Sequence, residues 1–106
     1  MKKYNKVIFV CNGNTCRSPM AATIFSSVKN DDKLLVASRG MVVLFDEPYN
    51  PKAVAVCAAH DMIMPNNPAT QISADDFGND TLVLTMSDAQ KNKIYAEFDN
   101  AINVYT

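Results

Sequence analysis

The sequence predicts an α/β fold, a four-stranded parallel sheet with helices on both faces. Three observations carry this. Short β-rich apolar runs recur at 7–10, 34–37, 81–86 and 101–105. Segments with helical spacing of apolar residues separate them. Strand and helix signals alternate in the order β-α-β-α-(α)-β-α-β, and such alternation gives a parallel sheet with right-handed crossovers. The 106 residues give room for a single domain over 1–106, large enough to bury a core without metal or disulfide staples.

Val7, Ile8, Phe9 and Val10 form an unbroken run, the mark of a strand buried on both faces. Polar residues 12–15, with one glycine, end it in a loop. A helix begins at Arg17, with Ser18 and Pro19 suited to its first turn. Met20, Ala21, Ile24, Phe25 and Val28 form its apolar face, and Asn30, Asp31 and Asp32 stop it. The second strand, 34–37, runs into Ser38-Arg39-Gly40. Residues 41–45 are apolar, but Pro48 and Pro51 break the stretch around them, and it reads as irregular. Pro51 opens a second helix whose apolar face carries Val54, Cys57 and Ala58. Two prolines and two asparagines make 62–68 a loop. Ser73 with Asp76 is a variant capping box for one helical turn. Strand 81–86 leads into a capping box of Ser87 and Gln90, and Ile94 and Phe98 share a face of the helix it starts. Residues 101–105 form the fourth strand.

Ten basic and eleven acidic residues leave a net charge of −1, which argues against a nucleic-acid surface or a polybasic membrane patch. Three cysteines, an odd count with no CxxC pair, and a single histidine exclude a disulfide framework and argue against zinc. Free thiols in a weakly acidic domain fit a reducing cytoplasm. Lys2, Lys3 and Lys6 precede an apolar run too short for a signal peptide or a spanning helix. No cofactor is indicated.

The chemistry concentrates in Cys11-Asn12-Gly13-Asn14-Thr15-Cys16-Arg17-Ser18-Pro19. In parallel sheets ligands sit beyond the carboxyl ends of the strands. A loop closing onto a helix N-terminus presents several N–H groups to one point, and with the helix dipole they form an anion cradle. Arg17 can clasp an oxyanion with two parallel hydrogen bonds. Cys11, at the strand end, faces the same cradle as a candidate thiolate nucleophile. Ser18 can donate a hydrogen bond to its sulfur. Cys57 reads as core packing.

Cys-x5-Arg-Ser between a strand and a helix is the phosphate-binding signature of cysteine-dependent phosphatases. The longer string Cys-x-Gly-Asn-x-Cys-Arg-Ser-Pro-Met-Ala resembles the low-molecular-weight protein-tyrosine phosphatase family. Ser38-Arg39-Gly40, the segment 48–53, Gln71 with Asp75, Asp76 and Phe77, and strand 82–86 extend the likeness over the whole chain. The resemblance implies a cytoplasmic hydrolase acting on phosphotyrosine protein, or on small aryl phosphates, through a phosphocysteine intermediate. Cys11, Arg17 and Ser18 take the catalytic roles, and Asn12, Gly13, Asn14, Thr15 and Cys16 form the phosphate loop. Asn14 holds the loop shape or is plain turn chemistry. Ser38 is its network partner or a strand-end cap. Cys16 is a redox guard for Cys11 or a small buried side chain. Thr15 resembles the protein-arginine phosphatase branch, where tyrosine-selective members carry a bulky aliphatic residue.

The resemblance also implies features that these residues lack. Family members carry an Asp-Pro loop after the fourth strand, whose aspartate protonates the leaving group, and then a final helix. No Asp-Pro dipeptide occurs in the sequence. The fold is therefore expected to be C-terminally short, and loss of such an acid costs ~10²–10⁴ in rate. A non-catalytic, phosphate-binding form is the further alternative. Asp46 and Glu47 can stand in by proximity, though solvated loop charge is the favoured reading. Asp75 and Asp76 suit a helix start, and His60 a cap or the surface. An uncovered sheet face predicts a partner, a second copy (a homodimer) or low stability.

Overall fold

The computed structural model describes residues 4–29 and 33–106. Lys2, Lys3 and the expected helix stop at Asn30, Asp31 and Asp32 lie outside the described residues. The elements are β1 (Lys6–Cys11), α1 (Arg17–Val28), β2 (Leu35–Gly40), α2 (Pro51–Ala59), a 3₁₀ turn (Ala74–Asp76), β3 (Thr81–Thr85), α3 (Asp88–Glu97) and β4 (Val104–Tyr105). The strands form one sheet in the order β2-β1-β3-β4, and every pairing is parallel.

β1 is apolar from Val7 to Cys11 because it is flanked by strands on both sides and covered on both faces. Ile8 and Val10 point to one face, where they join Val83, Val104 and Ile94 of α3 in the main core. Phe9 points to the other, where its ring meets Phe25 of α1 edge-on with centroids 5.8 Å apart. Helices thus lie on both faces, as the alternating pattern predicts, with α1 over β1 and β2. β2 is longer than expected at its end. Cys11 pairs with Gly40, so Ser38, Arg39 and Gly40 belong to the strand and carry it up to the phosphate loop.

Two helix faces differ from the apolar pattern. In α1 the buried residues are Ser18, Pro19 and Thr23, while Ile24 is 45% and Val28 is 65% exposed. The loop sets this rotation. Ser18 must face Cys11, and Thr23, five positions from it and four from Pro19, follows onto the sheet. Thr23 tolerates the inward position by donating its hydroxyl to the Pro19 carbonyl at 2.9 Å. In α2, Ala53 and Cys57 turn inward, and Val54 and Ala58 face outward. Small residues at this i, i+4 pair let Met64, Met20, Cys16 and Tyr49 pack closely against the helix. Asn50 caps α2, its Oδ1 accepting the Lys52 N–H at 2.8 Å, with Pro51 at the first turn as predicted.

The 3₁₀ turn has its expected cap. Ser73 N–H donates to Asp76 Oδ2 at 2.9 Å. β3 ends one residue early because Met86 N–H donates to the Gln90 side chain instead of a strand. Phe98 stands just past the end of α3, tilted against Phe77 at 5.3 Å. β4 is shorter than the predicted 101–105. Asn103 has φ 60°, a left-handed kink that an extended strand does not hold, and only Val104 and Tyr105 pair with β3.

Candidate active site

The loop leaves β1 at its carboxyl end and closes onto the first turn of α1. Asn14 makes the reversal. Its φ is 56°, a left-handed conformation that asparagine tolerates better than most residues. The turn sends Asn14 N–H back to Cys11 Sγ at 3.3 Å. The Asn14 side chain is fully buried and staples the loop at both ends. Nδ2 donates to Ser18 Oγ at 2.9 Å, and Oδ1 accepts the Thr70 N–H at 2.8 Å. Thr70 is held in turn by Gly40, whose N–H donates to the Thr70 carbonyl at 2.8 Å.

Gly40 is required here by close approach. A Cβ at this position would lie 2.7 Å from Val43 Cγ2 and 3.0 Å from both the Cβ and the N of Asn14. A side chain would push the loop away from β2.

Three hydrogen-bonding groups converge on the sulfur. Ser18 Oγ is 2.9 Å from Cys11 Sγ, Ser18 N–H is 3.4 Å away, and Asn14 N–H completes the set. Ser18 Oγ also reaches the Arg39 carbonyl at 3.3 Å. One hydroxyl therefore serves both states of the sulfur. With a thiol, S–H donates to Ser18 and the hydroxyl turns to Arg39. With a thiolate, the hydroxyl turns to sulfur. Around this point, among the described residues, the backbone N–H groups of Gly13, Thr15 and Cys16 donate to no protein acceptor. They remain available to an anion, at the positive end of a twelve-residue helix.

The remaining predicted residues fall around this centre. Arg17 is the first residue of α1 and exposed, and among the described residues its guanidinium has no hydrogen bond or ion pair. Asn12 is anchored twice. Its carbonyl accepts the Val42 N–H at 3.0 Å, and its Oδ1 accepts from Gln90 Nε2 at 2.8 Å. The Thr15 carbonyl accepts the Asn50 N–H at 2.7 Å, tying the loop to the cap of α2. Thr15 also lines a hollow with Gly13, Val42, Phe45 and Glu47. Cys11 and Cys16 are free thiols, and Cys16 packs against the α2 cluster beside Met20 and Tyr49. Cys57 is core, at 1% exposure.

Ser38 is not the partner of Asn14. It pairs with Phe9, two rungs short of Cys11 and Gly40, and its side chain lines a hollow under α1 with Pro19, Thr23 and Tyr49. Thr70 takes the expected role through its backbone, so no side-chain type announces it. Asp76 is bound to Arg39, Nε to Oδ1, at 3.3 Å, and Asp75 is exposed, as a helix start requires. Asp46 and Glu47 are exposed. His60 sits at the C-cap of α2. Among the described residues no carboxylate bonds the phosphate loop, no group of three potential metal ligands occurs, and no helix is long and apolar enough to cross a membrane.

Comparison with known proteins finds relatives of this chain in sequence and in fold. PtpB of Staphylococcus epidermidis, a low molecular weight protein-tyrosine-phosphatase, is 35% identical over 101 residues, covering 95% of this chain and 70% of its own length. A crystal structure of a low molecular weight protein tyrosine phosphatase from T. tengcongensis is 30% identical with a TM-score of 0.81, covering 95% of this chain and 71% of that one. The structure of a YwlE mutant from Bacillus subtilis is 29% identical with a TM-score of 0.78, covering 95% and 70%. A further YwlE structure, 28% identical with a TM-score of 0.80 and covering 95% and 68%, is described as an arginine phosphatase with a phosphorylated active-site serine. The model of the low molecular weight phosphotyrosine protein phosphatase family matches residues 6–106, and the chain belongs to that family.

Proposed function

We propose that this chain is a cysteine-dependent protein phosphatase that removes phosphate from phosphotyrosine through a phosphocysteine intermediate. The observation that carries the reading is a buried Cys11 sulfur that accepts two backbone N–H groups with the Ser18 hydroxyl 2.9 Å away, inside a loop whose other N–H groups point to no protein acceptor. Such a site stabilises negative charge on sulfur and on a phosphate above it. Arg17 supplies the two-pronged grip on the phosphate oxygens as it transfers. Asn14 keeps the loop in shape.

The cycle has two displacements. Cys11 thiolate attacks phosphorus, an S–P bond forms and the P–O bond breaks. The electron pair leaves on the substrate oxygen, which takes a proton. Water then attacks the phosphocysteine, gives up a proton, and the S–P electron pair returns to Cys11, where Ser18 and the two N–H groups receive it. Among the described residues no carboxylate bonds the loop to supply the leaving group's proton. Aryl phosphates with good leaving groups are therefore the fastest substrates of these residues. Cys11→Ser abolishes turnover with the fold retained, and Arg17→Ala raises the Kd for inorganic phosphate. Unchanged phosphatase activity in Cys11→Ser refutes the reading.

A second substrate reading has its own support. Thr15 puts a short hydroxyl at the hollow beside the loop, and the YwlE described as an arginine phosphatase shares the fold at 28% identity. A hydroxyl accommodates a polar phosphoguanidinium where a branched aliphatic chain does not. Under this reading Thr15→Ile shifts preference from phosphoarginine protein toward phosphotyrosine protein, and equal preference in both variants refutes it. A second copy on the open side of β3 and β4 is supported by Tyr105, which is 50% exposed and pairs with Leu84 on the side of the sheet that Phe9 shares. Sedimentation tests it.

A further inference from the structure

Gln90 of α3 is buried at 8% exposure, and both ends of its amide are used. Oε1 accepts the Met86 N–H at 2.9 Å. Nε2 donates to Asn12 Oδ1 at 2.8 Å. The first bond fixes the second. A backbone N–H can only donate, so Oε1 faces Met86, Nε2 faces Asn12, and Asn12 presents its oxygen. Gln90 is itself anchored in the first turn of α3, where its N–H donates to Ser87 Oγ at 3.3 Å.

Asn12 is the residue after Cys11. Its carbonyl is held by Val42 and its side chain by Gln90. The peptide leading into Gly13 is thereby fixed from two directions, and with it the aim of the N–H groups that enter the cradle. Asn14 staples the loop toward Thr70, while Gln90 staples it toward α3. We infer that Gln90 is a positioning residue for the phosphate loop, acting through the Asn12 side chain to preorganise the cradle. This rests on the phosphatase reading above and adds to it a residue from outside the loop.

The test is calorimetric binding of inorganic phosphate to the full chain, with p-nitrophenyl phosphate kinetics alongside. Asn12→Ala keeps the loop backbone and the Gln90–Met86 bond, so its fold is retained even where Gln90→Met loses stability. Each single variant is expected to weaken phosphate binding on the order of fivefold, the worth of one hydrogen bond, with kcat/KM falling in parallel. The double variant is expected to be no weaker than the weaker single, because both remove the same interaction. If Gln90 only caps α3, Gln90→Met lowers Tm while Asn12→Ala binds phosphate like the wild type, and the inference is overturned. Fully multiplicative losses in the double variant overturn it as well. A wild-type chain that binds no phosphate overturns the phosphatase reading and this inference with it. Wild-type binding with Asn12→Ala unchanged overturns this inference alone.

Discussion

Replacing Asn14 by alanine is expected to cost about 3 kcal/mol of stability and to remove most phosphate binding. The magnitude comes from three parts. The side chain is fully buried, and its bonds to Ser18 and Thr70 contribute about 1 kcal/mol each. Alanine at φ 56° adds about 1 kcal/mol of left-handed strain. For a domain of this size the melting temperature then falls on the order of 10–20 °C. Two companion variants separate the parts. Asn14→Gly carries no left-handed strain, so it retains up to about 1 kcal/mol more than alanine. Asn14→Asp keeps the acceptor for Thr70 but loses the donor to Ser18 and sets a negative charge near the sulfur. It is expected to lose more phosphate affinity than stability. Urea unfolding and phosphate titration measure both quantities. An Asn14→Ala variant within 1 kcal/mol of wild type, or one as stable as Asn14→Gly, refutes the reasoning.

Gly40→Ala drives a Cβ to 2.7 Å from Val43 Cγ2 and 3.0 Å from the Asn14 backbone. It is expected to destabilise by about 1–3 kcal/mol, and Val43→Ala recovers only part of that, because the backbone contact remains. Thermal melts of Gly40→Ala, Val43→Ala and the double variant check this. Ser18→Ala removes the hydroxyl 2.9 Å from the sulfur and weakens the leaving thiolate. Hydrolysis of the intermediate slows more than its formation, so a pre-steady-state burst of nitrophenol grows relative to wild type. A smaller burst contradicts the role. Peroxide, reduced to water, is expected to oxidise Cys11 and Cys16 to one disulfide and stop turnover. This requires Cys16 to leave its packing against Met20 and Tyr49. Mass spectrometry showing sulfinate on Cys11 with Cys16 still reduced argues against it.

The sheet and the loop were legible because their signals are local. An unbroken apolar run marks a strand buried on both sides, and the nine residues from Cys11 to Pro19 carry their own geometry. Helix rotation was not legible. The pattern of Ile24 and Val28 predicts an inward face, but Ser18 is bound to the sulfur and this bond sets the phase of α1 instead. Supporting residues were hidden for a second reason. Thr70 contributes a backbone N–H, which any non-proline residue carries. Gln90 read as a helix cap, and its side chain does meet a backbone N–H there. Its other end spans 78 positions of sequence to Asn12, a contact that no local pattern encodes. The left-handed Asn103 shortened β4 for the same reason, since φ is set by the turn and not by the apolar run around it.

The most direct test of the site is to quench the protein within one turnover of an aryl phosphate and map the phosphate by mass spectrometry. The account predicts an acid-labile adduct on the peptide carrying Cys11, absent in Cys11→Ser under conditions that preserve thiophosphate esters, and accumulating further in Ser18→Ala. Phosphate released at the wild-type rate with no adduct on Cys11, or an adduct on another residue, contradicts it.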